Sequence, residues 1–196
     1  MRVLVACEYS GVVRDAFLAK GHDALSCDLL PTDVPGPHYQ GDVFDIIDKG
    51  WDLMIAHPPC TYLSNSGVRW LYSQKGRWAN MRDGAVFFRR LLIADIPRVA
   101  VENPIMHGHA AHIIGQPQTQ IVQPWMFGHP ETKATGLWLC SLPPLTETDN
   151  VREQMLTLPK AERNRVHYAS PGPDRWKLRS TTYTGIAQAM AEQWGA

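Results

Sequence analysis

The sequence predicts an α/β protein built on a doubly wound, mostly parallel sheet with an antiparallel edge. Over the first hundred residues, short apolar segments of strand length alternate with amphipathic helical segments, an order typical of parallel sheets. The first strand, MRVLVAC, is followed by a turn and helix, SGVVRDAFLAKG, that Gly21 closes. Two later apolar segments joined by a turn, 118–128 and 134–140, predict the antiparallel edge.

The middle elements follow in the same alternating order. HDALSCDL predicts a second strand that ends in acid, and the proline-rich segment 31–40 predicts a loop. A short element at 41–50 leads to the strand WDLMIA at 51–56. The segment 81–95 predicts a helix, and IPRVAVENP at 96–104 predicts a further strand. Beyond residue 140 the chain is loop-rich until TTYTGIAQAMAEQWGA, which predicts a last amphipathic helix.

Length and composition favour one domain over residues 1–196. The chain has 196 residues, 44% of them hydrophobic, which is enough for one sizeable core. It has no apolar run of membrane-spanning length and no basic-then-apolar leader, so we expect a soluble cytoplasmic protein. The four cysteines, at 7, 27, 60 and 140, lack CxxC spacing and are expected to be reduced thiols.

Charge is distributed unevenly along a chain whose formal net charge is zero. Residues 1–60 hold four Lys/Arg and nine Asp/Glu, whereas residues 61–100 hold seven and two. Residues 151–180 hold seven Lys/Arg and three Asp/Glu. The second and third segments are suited to a polyanion, although such clusters are also common on solvated surfaces.

The segment HPPCTYLSNSG places a cysteine directly after two prolines. Pro58 and Pro59 each fix φ and remove a backbone donor, so the chain here is a rigid loop. Because the loop follows the strand 51–56, Cys60 is expected at the carboxyl edge of the sheet, where α/β proteins bind ligands. A buried cysteine in an ordinary turn is the alternative.

The first turn and the end of the second strand predict a nucleoside pocket. The turn, ACEYSG, carries a single glycine, Gly11, and Asp28 supplies the acid that binds ribose hydroxyls in such folds. Because GxGxxG is missing, the ligand should contain adenosine without a diphosphate, and S-adenosylmethionine fits this description. Asp42 is suitably placed for the adenine amino group.

PCTYLSNSG, at residues 59–67, resembles position by position the catalytic loop of the DNA (cytosine-5) methyltransferases, especially the small phage and prophage members. ENP, at 102–104, matches two of the three positions of that family's Glu-Asn-Val signature, and the C-terminal helix is similar to the one that closes its cofactor pocket. The resemblance implies a Rossmann-like methyltransferase fold, with residues 141–180 as a reduced segment in place of a target-recognition domain. A separate partner is one possible source of specificity.

The resemblance implies roles for individual residues. Cys60 is the nucleophile that adds to C6 of cytosine, Glu102 is the carboxyl group at N3 and the exocyclic amine, and Asn103 orients the loop. S-adenosylmethionine is the cofactor and DNA the substrate, and the target base leaves the duplex. The residues expected around the cofactor are Cys7, Glu8, Tyr9, Ser10, Gly11, Asp28, Asp42 and Pro58.

The basic residues depart from the family pattern. Its Gln-x-Arg-x-Arg motif is matched at best by QTQ, residues 118–120, without an arginine. The corresponding base contact is either missing or supplied from elsewhere, and Lys133 is either a phosphate contact or a plain turn lysine. The residues expected to contact nucleic acid are Ser64, Arg69, Arg77, Arg82 and Lys133.

Three further interpretations compete with these. HGHAAH, at 107–112, suggests a metal site, but no acid or thiol accompanies the histidines, and we expect none. An exocyclic-amine methyltransferase has an aromatic residue where this chain has Cys60, and gives Glu102 no role. A catalytically silent nucleic-acid-binding protein with the same fold is the alternative from another class.

Overall fold

The computed structural model describes residues 1–173 and 175–196. Its strands are β1 (Arg2–Ala6), β2 (Asp23–Asp28), β3 (His38–Gln40), β4 (Leu53–Ala56), β5 (Arg98–Pro104), β6 (Gln120–Val122) and β7 (Thr135–Cys140). Its α-helices are α1 (Val12–Ala19), α2 (Arg77–Leu92), α3 (Gly108–Ile114), α4 (Arg152–Thr157), α5 (Lys160–Arg163), α6 (Arg165–Tyr168), α7 (Arg175–Ser180) and α8 (Thr184–Trp194). Short 3-10 helices cover Val43–Asp45, Asn65–Leu71 and Pro124–Met126. No helix in the described part of the chain combines the length and apolar character needed to cross a membrane.

The strands form one sheet in the order β3-β2-β1-β4-β5-β7-β6. Strands β1 to β5 pair in parallel, whereas β7 runs antiparallel between β5 and β6. The predicted fold class and its antiparallel edge are thus confirmed. Because the chain moves outward from β1 in one direction and then returns to β4, a crevice opens at the carboxyl ends of these two strands.

Each face of the sheet is covered by helices. On one face, Met81 and Phe88 of α2 belong to the same buried cluster as Met54 of β4. On the other face, Phe17 of α1 and Met190 of α8 join a second buried cluster. Every residue of β4 is buried, which is the pattern of a central strand covered on both faces. The loop after β4 therefore begins from one of the most constrained points of the sheet.

Two element boundaries differ from the sequence expectation. β3 lies within the segment 31–40 that the sequence predicts to be a loop, and it forms because its residues pair with Ser26, Cys27 and Asp28 of β2. Three residues beside prolines carry too short a pattern to reveal such pairing. Helix α2 begins at Arg77, four residues before its predicted start, because Gly76 adopts a left-handed φ of 77° and caps it.

Candidate active site

Cys60 lies on a braced loop directly after β4. Its carbonyl oxygen accepts hydrogen bonds from the amides of Leu63 and Ser64, at 3.0 and 2.9 Å. These two bonds close a tight turn immediately after Pro58 and Pro59. Because the prolines fix their own φ angles and the turn fixes the residues after them, the half-buried Cys60 has little backbone freedom.

The segment at the end of β5 holds this loop from the side. The side-chain amide of Asn103 donates to the carbonyl oxygen of Pro58 at 2.8 Å. Two backbone bonds add to it: the amide of Asn65 donates to Ile105 at 2.9 Å, and the amide of His107 donates to Leu63 at 3.1 Å. Asn103 thus contacts the loop that it was predicted to orient.

Glu102 and His57 form a close pair beside the loop. His57 follows the last residue of β4, Glu102 lies near the end of β5, and these strands are neighbours in the sheet. Nδ1 of His57 is 3.1 Å from Oε2 of Glu102, and the two side chains are 8% and 14% exposed. The carboxyl group is therefore held by a hydrogen bond in a largely buried position.

The surroundings of Glu102 favour its ionised form. Burial alone raises the pKa of this carboxyl group. The hydrogen bond from His57, together with the positive charges of His57 and Lys133, outweighs burial and lowers the pKa below its ordinary value. A negative charge consequently lies beside Cys60 in the free protein.

The pKa of the Cys60 thiol is affected by this charge. Burial is the main cause that raises its pKa, and the Glu102 carboxylate raises it further. Arg179 of α7 and Lys133, just before β7, act in the opposite direction. The thiol is therefore neutral in the free protein at neutral pH, and its conversion to thiolate depends on how neighbouring charges are balanced.

Unpaired buried polar atoms concentrate around the same loop. Among the described residues, the buried side-chain nitrogens and oxygens without a hydrogen-bond partner are His57 Nε2, Arg77 Nε and Asn103 Oδ1. His57 precedes the two prolines, Asn103 bonds Pro58, and Arg77 donates to the carbonyl of Thr61 at 2.9 Å. Because such atoms are costly in a folded protein, their clustering at one loop points to a functional site.

A cavity of about 150 Å³ adjoins this loop at the carboxyl ends of β1 and β2. Its lining combines two carboxylates with thiols and apolar side chains: Cys7, Cys27, Asp28, Leu29, Gly41, Asp42, Val43, Pro59 and Phe87. Burial raises the pKa of Cys7 and, with Asp28 as the next cause, raises that of Cys27 to about 12, so both thiols are neutral. Apolar walls with two acids suit a nucleoside, and the larger apolar side chains of this lining are those of Leu29, Val43 and Phe87.

Most residues of the first turn have partners outside this cavity. Both carboxylate oxygens of Glu8 accept α1 amides, from Val13 at 2.7 Å and Arg14 at 3.2 Å. Gly11 has a φ of 75°, and a Cβ there would lie 2.5 Å from the Arg14 guanidinium, so Gly11 is explained by this packing. The ring of Tyr9 packs against that of Trp176, with 5.2 Å between the centroids and 50° between the planes. Of the turn residues predicted for the cofactor, Cys7 lines the cavity.

Some of the other residues predicted to bind the cofactor line the cavity and others do not. Asp28 and Asp42 line the cavity, whereas Pro59 lines it in place of the expected Pro58. One oxygen of Asp28 accepts the Leu30 amide at 2.9 Å, and one of Asp42 accepts the Phe44 amide at 3.0 Å. Burial raises the pKa of Asp28 despite that amide bond. The hydroxyl of Ser10 donates to Oε1 of Glu8 at 3.3 Å.

Of the predicted nucleic-acid residues, Ser64 lies within the Cys60 loop, and the arginines follow the loop along the chain. Ser64 hydrogen-bonds Ser66 at 3.1 Å, and the Arg77 guanidinium lies 4.6 Å from the centroid of Tyr62. Arg69 lies 4.5 Å from the centroid of Trp70, a tryptophan that is 37% exposed. Arg82 is exposed on α2. Ser64 is 9% exposed and therefore largely covered, whereas Arg69 and Trp70 expose a basic and an aromatic group shortly after the loop.

The segment QTQ lies away from the Cys60 loop. The side chain of Gln120, the first residue of β6, bonds the backbone of Leu145 at 2.7 and 2.8 Å on the edge of the sheet. Lys133 instead lies near Glu102 and Cys60, with Nζ 3.5 Å from the carbonyl oxygen of Thr181. After His57, this lysine is therefore the basic group that acts on the carboxyl group of Glu102.

The histidines of HGHAAH serve helix α3 and its neighbours. His107 Nδ1 accepts the Ala110 amide at 3.1 Å, and its Nε2 lies 3.0 Å from the carbonyl oxygen of Tyr62. His109 lies 2.9 Å from the Tyr72 hydroxyl. Within the described residues, no group of three potential ligand side chains is arranged to hold a metal ion.

Sequence reasoning missed two groups of this site, His57 and Arg179. His57 stands in the quoted loop, and its place one residue after a buried strand that neighbours the strand of Glu102 was an available signal. Arg179 had no such signal. Helix α7 reaches the site through tertiary contacts, including a Lys177–Asp33 ion pair of 3.0 Å and the packing of Trp176 against Tyr9.

No protein-family model matches the chain, and no curated protein matches it. Among solved structures, it resembles a protein described as a DNA modification methyltransferase encoded within a prophage (E. coli), with 15% identity and a TM-score of 0.48. It also resembles the Entamoeba histolytica methyltransferase EhMeth, with 12% identity and a TM-score of 0.48. These alignments cover 82% and 76% of this chain, but 56% and 57% of the other proteins. Identities this low define no substrate, so function rests on the residues of the chain itself.

Proposed function

We propose that the protein transfers a methyl group from S-adenosylmethionine to C5 of cytosine in DNA, through a covalent bond between Cys60 and C6 of the base. The observation that carries the proposal is the meeting of three features at one edge of the sheet. The loop PCTYLSNSG presents Cys60, the neighbouring strand presents Glu102, and the cavity lined by Asp28 and Asp42 adjoins the loop at Pro59. Each feature has a separate part in this reaction.

The two side chains act in sequence on the target base. C5 of cytosine is a weak nucleophile, and addition of the Cys60 thiolate to C6 makes it an enamine-type carbon that attacks an electrophilic methyl group. S-adenosylmethionine supplies that methyl group when bound. Glu102 contacts N3 and the exocyclic amine; its carboxyl group takes up a proton from solvent as the base binds and donates it to N3, where negative charge develops as the thiolate adds. Water then takes the C5 proton and N3 returns its proton to Glu102. The C5–C6 double bond re-forms as the bond between C6 and Sγ breaks, and Cys60 leaves as a thiolate.

The surface beside the loop suits nucleic acid. Trp70 and Tyr72 are 37% and 71% exposed, and Arg69 lies over the Trp70 ring. Exposed aromatic rings stack on unpaired bases, and guanidinium groups contact phosphates. This combination favours a base that has left its duplex, as a reaction at C6 requires.

Incubation with labelled S-adenosylmethionine and cytosine-containing DNA, followed by nucleoside analysis, tests the proposal. We expect labelled 5-methylcytosine from the wild-type protein and from Cys140→Ala, whose thiol lies at the end of β7. Label on an exocyclic amine would identify the other type of methyltransferase. DNA binding without any label would identify a silent binding protein.

Asp28→Ala is expected to weaken binding of S-adenosylmethionine by about 1 to 3 kcal/mol, because the ribose hydroxyls lose an ionised acceptor. Since burial raises the pKa of Asp28, wild-type affinity should also fall on acidification at a higher pH than an ordinary aspartate would give. Calorimetry measures both effects. The exposed Asp48 provides the control, Asp48→Ala, and equal affinities for the two variants would assign the ribose to another residue.

We expect methylation at a very short motif or with little sequence preference. Between residue 141 and the end of α7, the apolar residues that are buried in the described structure are Leu145, Met155 and Val166, too few for the core of a separate reading domain. Each side chain that does reach a base edge adds roughly 1–3 kcal/mol of discrimination. Binding should instead depend on phosphate contacts, and its affinity should fall steeply with salt.

Sequencing of DNA methylated by the purified protein measures this preference. Modification confined to a defined site of six or more base pairs would contradict it. A binding series at increasing salt supplies the second measurement, and an affinity independent of salt would remove the phosphate contacts from the explanation.

A further inference from the structure

His57 holds one oxygen of the Glu102 carboxylate and leaves the other available. Its Nδ1 is 3.1 Å from Oε2, while Oε1 has no hydrogen-bond donor among the residues that the structure describes. Both side chains are largely buried, so water competes little for the bond. A carboxylate fixed through one oxygen presents the second in a defined direction.

The position of His57 also makes its ring rigid. Its backbone amide donates to the carbonyl oxygen of Ala6 at 2.9 Å, and the residue is followed by Pro58 and Pro59. Its side chain is 8% exposed, and its Nε2 is buried without a partner. An unpaired buried nitrogen destabilises the fold. The fold alone therefore gives no reason for histidine here, whereas the bond from Nδ1 does.

We propose that His57 is the positioning residue for Glu102, fixing Oε2 so that Oε1 faces the target base. This inference rests on the proposed function, because the base is the cytosine whose N3 and amine Glu102 contacts. Among the described residues, the other charged or titratable groups that act on the pair are Lys133, from the segment before β7, and Cys60, from the loop itself. Arg179 of α7 faces Cys60. None of these is replaced in the test.

The test compares His57→Leu, which removes the donor, with His57→Asn, which retains an amide donor at nearly the position of Nδ1. The exposed His112 supplies the control His112→Asn. Carbon-13 NMR titration of labelled glutamate, with the Glu102 signal assigned by its loss in Glu102→Gln, measures the pKa of Glu102 in each protein. This readout is independent of methyl transfer.

We expect the pKa of Glu102 to rise by about one unit or more in His57→Leu, since the ionised form loses its hydrogen bond and its nearest positive partner. His57→Asn should recover part of this shift, and His112→Asn should leave it unchanged. In turnover assays, the limb of the kcat pH profile that disappears in Glu102→Gln should move to higher pH in His57→Leu. Affinity for S-adenosylmethionine should stay constant.

An unchanged Glu102 titration in His57→Leu would overturn the inference, as would a lower kcat without movement of that limb, which a purely structural role would give. If His57→Leu does not fold, the same titration is made on His57→Asn and compared with wild type. The neutral amide supplies the hydrogen bond without the charge, so we expect a partial rise in the pKa of Glu102, and no rise would overturn the inference. Failure of the proposed function would give a different result. The wild-type protein would then form no 5-methylcytosine, and this outcome does not depend on the pKa of Glu102 measured in the variants.

Discussion

DNA that contains 5-fluorocytosine is expected to become covalently attached to the wild-type protein and to remain free with Cys60→Ala. Cys60 adds to C6 and the methyl group is transferred to C5, but fluorine at C5 does not leave as a proton. Elimination of the cysteine is therefore blocked, and the bond between Sγ and C6 persists. A band of the combined mass on a denaturing gel measures this adduct.

Cys140→Ala is the matched control for this experiment. Both cysteines are half-buried free thiols, and Cys140 lies at the far end of β7, with Sγ 3.6 Å from the Leu92 carbonyl oxygen. The control should form the adduct as wild type does. Methylation of cytosine by Cys60→Ala at the normal rate would show that the nucleophile has been wrongly assigned.

The raised pKa of Cys60 adds a pH dependence to the adduct. Because burial and Glu102 disfavour the thiolate, its fraction increases with pH through a range above that of an ordinary cysteine. The rate of adduct formation should therefore rise from neutral pH upward. At a given pH, Lys133→Ala should form the adduct more slowly than wild type, since this lysine is one of two cations that favour the thiolate.

The sequence predicts the framework of this site because parallel sheets follow local rules. Buried strands show as apolar runs, and the residues directly after them meet at one edge. That rule alone brings Cys60 and Glu102 together, because β4 and β5 are neighbours in the sheet. The two-proline signal likewise predicts a stiff loop, and the hydrogen bonds from Leu63 and Ser64 to Cys60 complete it.

The features that the sequence does not predict depend on contacts between distant segments. The acid in the first turn, Glu8, was expected at the cofactor, but its carboxylate caps α1, a use that its spacing does not distinguish from ligand binding. Arg179 lies far from Cys60 along the chain and reaches it only through the packing of α7. β3 depends on its pairing with β2. In each case the outcome depends on tertiary contacts, which the local sequence pattern does not predict.

Glu102→Gln is expected to lower kcat for methyl transfer by about 10²-fold or more, the usual scale for removing a positioned acid–base group. The amide has nearly the same shape as the carboxyl group, so the fold and the affinity for S-adenosylmethionine should be retained. Steady-state kinetics and calorimetry measure the two quantities separately. Glu153→Gln, an exposed change on α4, is the control.

A second readout separates chemistry from structural damage. The Glu102 carboxylate is one of the causes that raise the pKa of Cys60, so its neutralisation should lower that pKa and make the thiol react faster with iodoacetamide at neutral pH. The variant should thus carry a more reactive Cys60 and yet be the slower enzyme. Peptide mapping of the alkylated cysteine distinguishes Cys60 from the other free thiols.

This pairing of opposite effects is expected of a carboxyl group that acts on the base. If Glu102 served only to hold the loop, its loss would change thiol reactivity and turnover together, because both would follow the position of Cys60. If it served the cofactor, kcat would be retained and affinity for S-adenosylmethionine would fall. A more reactive thiol together with slower methyl transfer and unchanged cofactor affinity would indicate that Glu102 contacts the base. The alkylation rate would show that the nucleophile is functional, and calorimetry would show that the cofactor still binds.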